Sequence, residues 1–276
     1  MSYGDAITAG VIYALTELLG LSGSGHLAVV NTLFDLNLTG TNLLFKAVTE
    51  LAVMLALILA CRKDLAAMIR DTAGLTGFGK QPQRRGVRYP EARLLFMLSV
   101  ATLPLLMMLP FRTDYFRLWN STSFVGLMFL LNGAVLTVCE HMMQGKKGLG
   151  SMRIPDALII GICQAVAVIP GLSRLALTVT AAQAEGFQKQ YAIRFGILLA
   201  IPALFGSFIL SLADAAIAGI RTEALAVYGV GGAAALITGF FTVYGFRRLV
   251  RRRGYGWLAY YSWVIGVLTI ILTFIF

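Results

Sequence analysis

The stretch LTELLGLSGSGHLAVV, Leu15–Val30, places a carboxylate, two hydroxyls and an imidazole between two apolar segments. These groups belong to Glu17, Ser22, Ser24 and His26, and three glycines lie among them. A helix that stops inside a membrane leaves backbone groups bare, which is tolerated only where protein or a water-filled cavity covers them. The stretch therefore predicts a helix that enters a membrane without crossing it and ends at a polar turn.

The composition of the whole chain supports a membrane location. Of its 276 residues, 58% are hydrophobic and only 13% are charged, and its mean hydropathy is +0.79. Soluble domains carry about a quarter charged residues. Because apolar runs follow one another from end to end, we predict a single membrane domain over residues 1–276 with no separate soluble domain.

Six apolar stretches approach the roughly 20 residues that a helix needs to cross the hydrocarbon core. They are residues 43–61, 94–110, 122–140, 195–216, 224–245 and 257–276. Two further stretches, 6–26 and 155–170, are apolar but end in polar, glycine-containing turns. We predict an all-α polytopic membrane protein with about six transmembrane helices and two re-entrant helices.

The basic residues indicate how these helices are oriented. Most of the 23 Lys and Arg lie in segments 62–93, 141–154 and 247–253, which alternating spans would place on one side. The positive-inside rule makes that side the cytoplasm, so the C-terminus is expected outside. Charges placed in this way favour the membrane bilayer, and no nucleic acid, as the partner.

The two interrupted stretches match each other at an offset of 151 residues. GVIYALTELLGLS, Gly10–Ser22, aligns with GICQAVAVIPGLS, Gly161–Ser173, and the pairs Gly10/Gly161, Gly20/Gly171 and Ser22/Ser173 are identical. Three predicted spans separate the copies, so they would enter from opposite faces. This predicts an inverted-topology repeat, approximately 1–140 and 155–276, whose interrupted helices meet near the midplane and form a site there.

The polar groups of the two turns suit a phosphate. Charges inside a bilayer are costly, which makes Glu17, Glu50 and Arg174 functional candidates. A guanidinium fork fits phosphate oxygens, a carboxylate can hold a divalent cation, and His26 can transfer protons. The predicted phosphate-binding residues are Ser22, Gly23, Gly25, Gly171, Ser173, Arg174 and Thr178.

These motifs resemble those of the undecaprenyl-pyrophosphate phosphatase family, also called bacitracin-resistance proteins. That family has a Glu-rich helix leading to a Ser-Ser-Thr-Gly-His turn, then a Pro-Gly-x-Ser-Arg-Ser-Gly-x-Thr turn. The matching residues here are Glu17, His26, Pro170, Gly171, Ser173, Arg174 and Thr178, with Gln164 and Glu50 at positions that are also polar in the family.

The resemblance implies a phosphatase of the bacterial plasma membrane that depends on Mg²⁺ or Ca²⁺. Its substrate would be a C55 prenyl diphosphate lipid, the carrier of cell-wall synthesis, and its active site would open to the outer face. Glu17 would hold the metal, and His26, Glu17, Arg174 and Ser24 would carry the catalysis.

The chain departs from the family pattern at several positions. Tyr13 replaces the first glutamate of a pair, Gly20 a proline, and Gly23 the second serine of the turn. Leu175 and Ala176 replace the Ser-Gly after the arginine. The nucleophile is therefore left open between Ser24, Ser22, His26 and a metal-bound water.

Three functions remain open from the sequence. The first is the phosphatase, and the second is a non-catalytic relative that acts as a prenyl-phosphate transporter, flippase or lipid-binding regulator. The third is a channel or small-solute carrier, which the headgroup chemistry fits less well. A homodimer is also left open.

Overall fold

The computed structural model describes residues 1–38, 42–75, 90–111, 118–219 and 222–274. Within these ranges the chain forms eleven α-helices joined by turns and short 3₁₀ segments. The helices are α1 (Tyr3–Leu18), α2 (Gly23–Phe34), α3 (Leu43–Ala60), α4 (Arg62–Leu75), α5 (Pro90–Leu106), α6 (Thr122–His141), α7 (Ile154–Val166), α8 (Arg174–Ala184), α9 (Lys189–Ala218), α10 (Leu225–Arg253) and α11 (Gly256–Leu272).

Five of these helical segments in the described part of the chain are long and apolar enough to cross a membrane. They are Leu43–Ala60, Pro90–Phe111, Thr122–His141, Lys189–Ala218 and Leu225–Val250. The protein is thus an all-α, multi-pass membrane protein, as the sequence predicted. The sixth predicted span, 257–276, corresponds to α11, whose 17 residues fall below that length.

Helix boundaries differ from the predicted ones where charged residues extend a helix beyond its apolar core. Helix α9 begins at Lys189 instead of 195, and α10 continues through Arg247 and Arg248, which the sequence placed in a loop. Part of the basic segment 62–93 forms α4, while its residues 76–89 lie outside the described ranges. Lys and Arg are good helix formers, so charge alone does not end a helix.

Each predicted re-entrant helix is in fact the first arm of a helical hairpin. Helix α1 ends at Leu18, before the predicted 26, and α2 begins at Gly23 after a short turn. In the same way α7 ends at Val166, and α8 begins at Arg174. The turns are sharp because Gly20 and Gly171 have φ of 81° and 96°, a region that favours glycine.

The two hairpins pack against the spans in corresponding ways. Helix α1 lies along α10, and α7 lies along α5, while α3 packs on α9 and α6 on α11. A Cβ on Gly10 would lie 2.3 Å from the carbonyl oxygen of Gly231, and one on Gly161 would lie 2.3 Å from that of Ala101. The offset of 151 relates Gly10 to Gly161, so these contacts support the inverted repeat and its two halves, which stay predictions.

Ion pairs join four helices at the end where α4 begins. The Arg194 guanidinium of α9 lies 2.9 Å from Asp64 of α4 and 2.7 Å from Glu91 of α5. Arg247 of α10 reaches the same Asp64 at 3.6 Å. These side chains are 15–28% exposed, so they tie the helices together at one end of the molecule.

Candidate functional site

The first turn is built around the hydroxyl of Ser22. Ser22 caps α2, with its Oγ accepting a hydrogen bond from the Gly25 N–H at 3.3 Å, and its φ of 70° is unusual for a residue with a side chain. The second turn repeats the cap, since Ser173 Oγ accepts from the Ala176 N–H at 3.3 Å. The repeat paired Ser22 with Ser173, and each is the N-cap of the helix that follows it.

The two turns contact each other directly. The Gly171 N–H donates to Ser22 Oγ at 3.1 Å, across 149 residues of sequence. A Cβ on Gly25 would lie 2.7 Å from the Gly171 nitrogen, so the backbones meet where side chains would not fit. The turns that the sequence expected to come together are therefore in contact.

Asn132 of α6 joins the same two turns from a third helix. Its amide donates to the Gly20 carbonyl at 3.2 Å and to Ser262 Oγ at 3.1 Å, while its Oδ1 accepts from the Ser173 N–H at 2.9 Å. Asn132 is fully buried, so these bonds satisfy most of its polar groups. It was not among the predicted site residues.

A buried ion pair lies at the junction of the turns. Arg174 Nε is 3.1 Å from Glu17 Oε1, and the two side chains are 14% and 7% exposed. Glu17 Oε2 accepts the Gly23 N–H at 3.0 Å. The Tyr13 phenol is buried near Arg174, although its oxygen forms no regular hydrogen bond with a described residue. Glu17, Gly23 and Arg174, which the sequence predicted as site residues, are thus brought together.

Gly23 has a steric role in this arrangement. A Cβ at position 23 would lie 2.8 Å from both the Cβ and Oε2 of Glu17, so a serine would displace that carboxylate. Glycine at position 23, where the family has its second serine, therefore leaves room for the Glu17 carboxylate to lie against the turn. The N–H groups of Gly23, Gly25 and Gly171 have acceptors within the protein, and their role in binding phosphate stays a prediction.

A cavity of about 380 Å³ opens beside the ion pair. Its polar wall includes Ser24, Lys46, Glu50, Arg174, Ser207 and Asp214, and its apolar wall is formed largely by the end of α5 and by α9. Two cations and two carboxylates therefore face one space. Such a mixture suits a charged headgroup joined to an apolar chain.

Glu50 places a carboxylate in this cavity from α3. Its Oε1 accepts from Ser207 Oγ of α9 at 2.5 Å. Its Oε2 is buried and has no hydrogen-bond partner among the described residues. Glu50 lines the same cavity as Arg174. This oxygen is therefore available to an added ligand.

His26 is held outside the cavity. Its Nδ1 lies 2.8 Å from the Ser22 carbonyl oxygen, and its Nε2 lies 3.0 Å from the Tyr261 hydroxyl. A carbonyl can only accept, so Nδ1 carries the proton and Nε2 accepts from Tyr261. The ring also packs edge-on against Phe129. The imidazole thus stabilises the turn, and the catalytic role predicted for His26 stays a prediction.

Two other predicted site residues, Thr178 and Gln164, form no hydrogen bond with the charged groups of Glu17 and Arg174. The Thr178 hydroxyl donates to the Arg174 carbonyl at 2.8 Å within its own helix. Gln164 is buried, and neither polar atom of its side chain has a partner among the described residues. In the described ranges no three His, Cys, Asp or Glu side chains cluster as a metal site.

Sequence reasoning missed three residues that shape the site. Asn132, Lys46 and Trp119 lie far from both motifs in the chain and carry no motif of their own. Two hints were observable, because Asn132 and Lys46 are polar residues inside the predicted spans 122–140 and 43–61, and such residues are costly in a membrane.

The chain is similar over nearly its whole length to proteins of one kind. The family model for bacitracin resistance protein BacA matches residues 6–268. The undecaprenyl-diphosphatase of Carboxydothermus hydrogenoformans is 30% identical over 99% of this chain and 98% of its own. The proteins of that name from Mycobacterium sp. (strain KMS) and Methanobrevibacter smithii are 33% and 31% identical, covering 99% and 96% of this chain and 97% and 95% of theirs.

Proposed function

The chain belongs to the bacitracin resistance protein BacA family, and from this premise we propose that it is an undecaprenyl-diphosphatase. It would hydrolyse the C55 prenyl diphosphate to the monophosphate and inorganic phosphate. The observation that carries the proposal is the buried Glu17–Arg174 pair, placed where two helical turns meet and beside a cavity with both polar and apolar walls.

Arg174 is the main anchor for the phosphate that is released. It is the first residue of α8, so the positive end of that helix dipole adds to its charge. The pair with Glu17 orients the guanidinium before substrate arrives. Charge on the transferred phosphoryl group is the main demand of such a reaction, and a fixed cation at that point meets it.

The apolar wall supports a lipid substrate. Leu106 and Leu109 near the end of α5, and Phe205 and Ile209 of α9, line the cavity and are 44–56% exposed on its outer side. A prenyl chain can therefore leave the cavity between these helices and remain in the bilayer while its headgroup lies against Arg174.

The residue that would hold a divalent cation, Mg²⁺ or Ca²⁺, is Glu50, which offers a buried oxygen without a partner among the described residues. Both oxygens of Glu17, the predicted metal ligand, are engaged, by Arg174 and by the Gly23 N–H. Carboxylate oxygens are the ligands such ions prefer. When bound, the cation would neutralise charge on the diphosphate. The further ligands would be substrate or water oxygens, since Mg²⁺ keeps several waters.

Ser24 is the hydroxyl best placed to serve as nucleophile. It lines the cavity and is partly exposed, whereas Ser22 is buried and already accepts two backbone N–H groups. Attack by Ser24 Oγ on the terminal phosphorus would break the bond between that phosphorus and the bridging oxygen. The prenyl monophosphate would leave and take up the proton that Ser24 loses. Water would then release inorganic phosphate from the serine.

The protein is proposed to lie in the plasma membrane with this cavity open to the outer face. The basis is the positive-inside rule, because the basic segment 62–93 adjoins the start of α5, whereas the cavity is lined by residues near the other end of that helix. The test of the activity is release of inorganic phosphate from undecaprenyl diphosphate by purified protein with Mg²⁺ or Ca²⁺. Arg174→Ala should abolish it, and a wild type without release above the blank would refute the proposal.

Tyr13 and Gly23 favour the alternative of a non-catalytic lipid transporter, since both depart from the phosphatase motif. Liposomes distinguish the two functions. Transbilayer movement of a labelled prenyl phosphate without phosphate release would favour transport, and release would favour the phosphatase.

A further inference from the structure

Lys46 is a cation of the cavity wall that the motifs do not include. It lies on the same cavity as Arg174 and is only partly exposed. Among the residues that the structure describes, no carboxylate forms an ion pair with it. A charge at membrane depth without a counter-ion is costly, and an anionic ligand would remove that cost.

The position of Lys46 is linked to the first turn through Trp119. The Lys46 ammonium lies 6.0 Å from the centre of the Trp119 ring, within the range of a cation–π contact. The Trp119 indole N–H donates to the Ser24 carbonyl at 2.9 Å, and the side chain is 7% exposed. The ammonium is thereby held on the side of the cavity where Ser24 lies.

Lys46 and Arg174 occupy successive levels of the cavity. Lys46 precedes Glu50 by four residues in α3, which separates them by about 6 Å along the helix axis. Glu50 lines the cavity together with Arg174. Two cations offset by about one helical turn match two phosphate groups joined by one oxygen.

We propose that Lys46 binds the phosphate that stays on the prenyl chain, while Arg174 binds the phosphate that is released. Lys46 lies near the start of α3, whereas Arg174 lies at the junction of the two turns, paired with Glu17. A lipid entering from the bilayer would place its terminal phosphate deepest, at Arg174, and its chain-bearing phosphate at Lys46. This inference rests on the proposed function and assigns a subsite within it.

The test compares Lys46→Met and Lys46→Arg in the purified full-length protein. Lys46→Met should raise KM for undecaprenyl diphosphate about tenfold and weaken inhibition by farnesyl phosphate about as much, since a hydrogen bond to a charged group is lost. Inhibition by inorganic phosphate, which occupies the Arg174 end, should not change. Lys46→Arg should keep all three values near those of the wild type.

Lys189→Met is the matched control, because Lys189 also lies over an aromatic ring, 4.5 Å from that of Tyr255, but is not on the cavity wall. It should leave all three values unchanged. Equal weakening of both inhibitors by Lys46→Met would overturn the subsite assignment, and unchanged values would overturn any contact with Lys46.

Binding of farnesyl phosphate, measured by calorimetry, separates this proposal from the proposed function. One outcome is that the wild type hydrolyses no diphosphate while Lys46→Met binds farnesyl phosphate more weakly than the wild type does. That result would support phosphate binding by Lys46 and refute the phosphatase activity. If the wild type is active and Lys46→Met changes neither farnesyl phosphate binding nor KM, phosphate binding by Lys46 is refuted and the phosphatase activity is supported.

Discussion

At the scale of single residues, the Glu17–Arg174 pair has the largest expected consequence. Glu17→Gln leaves Arg174 buried without its counter-ion, and breaking one partner of a buried pair costs about 3–5 kcal/mol. We expect a large loss of thermal stability in detergent together with loss of phosphate release. Glu223→Gln, at an exposed position, is the control. Full activity and stability in Glu17→Gln would contradict the role given to the pair.

The two serines of the first turn should separate structure from chemistry. Ser22→Ala removes the acceptor of two buried N–H groups, from Gly25 and Gly171, and should destabilise the protein by about 1–3 kcal/mol. Ser24→Ala loses only a long contact to Ser22 Oγ, 3.5 Å, so it should remain as stable as the wild type and lose phosphate release.

Thermal unfolding and phosphate release, measured on both serine variants, give the comparison. If Ser24→Ala kept its activity while folding normally, the nucleophile would be water or another group. If Ser22→Ala were as stable as the wild type, the contact between the turns would not hold the fold together.

Sequence reasoning identified the charged residues of the site better than the uncharged residues that contact them. Glu17, Glu50 and Arg174 stood out because a charge in an apolar run needs a reason. Asn132 could not be placed, since its partners lie 112, 41 and 130 residues away. His26 stood out by chemistry alone, but its orientation toward Ser22 and Tyr261 depends on a helix at the other end of the chain.

At the scale of helices, Gly10 and Gly161 should behave alike. Each allows a hairpin arm to approach the backbone of another helix, with an added Cβ only 2.3 Å from a carbonyl oxygen. Backbone cannot yield as a flexible side chain does, so Gly10→Ala and Gly161→Ala should each destabilise the protein by about 1–3 kcal/mol. Their thermal unfolding tests the equivalence that the 151-residue offset predicts.

Gly229→Ala is the matched control for the helix contacts. Gly229 lies within α10, and an added Cβ there would meet nothing within 4 Å. Because alanine is about 1 kcal/mol better than glycine in a helix interior, this variant should be as stable as the wild type or more so. A large loss in only one of Gly10→Ala and Gly161→Ala would contradict the equivalence.

The hairpins show what sequence patterns predict for an element. Gly20 and Gly171 marked where α1 and α7 end, since a glycine in a positive-φ turn is a local requirement. The return arms, α2 and α8, were not predicted as helices. They are 12 and 11 residues long, too short to be stable alone, and they depend on packing against the first arm of their own hairpin and against α6.

At the scale of the whole molecule, the two ends of the spans differ. At one end Arg194 binds Asp64 and Glu91, which closes the space between α4, α5 and α9. At the other end, residues of the same α5 and α9 line the cavity to which Lys46 and Asp214 belong. The ion pairs and this cavity therefore lie at opposite ends of α5 and α9.

Cysteine labelling can establish which side is open. Ser121, two residues beyond the cavity residue Trp119, is exposed, and Met143, at the other end of α6, is 91% exposed. The native cysteines Cys61, Cys139 and Cys163 are first replaced by alanine. An impermeant maleimide should then label Ser121→Cys in intact cells, and Met143→Cys only after the membrane is permeabilised, because basic segments favour the cytoplasm.

The reverse labelling pattern would place the cavity on the cytoplasmic side. It would contradict both the positive-inside assignment and the external C-terminus, because α11 begins beside the end of α10 and runs along α6 toward the Ser121 side. Labelling of both positions from outside would mean that α6 does not cross the membrane. Because the ion pairs and the cavity lie at opposite ends of the same helices, this one measurement orients the entire site.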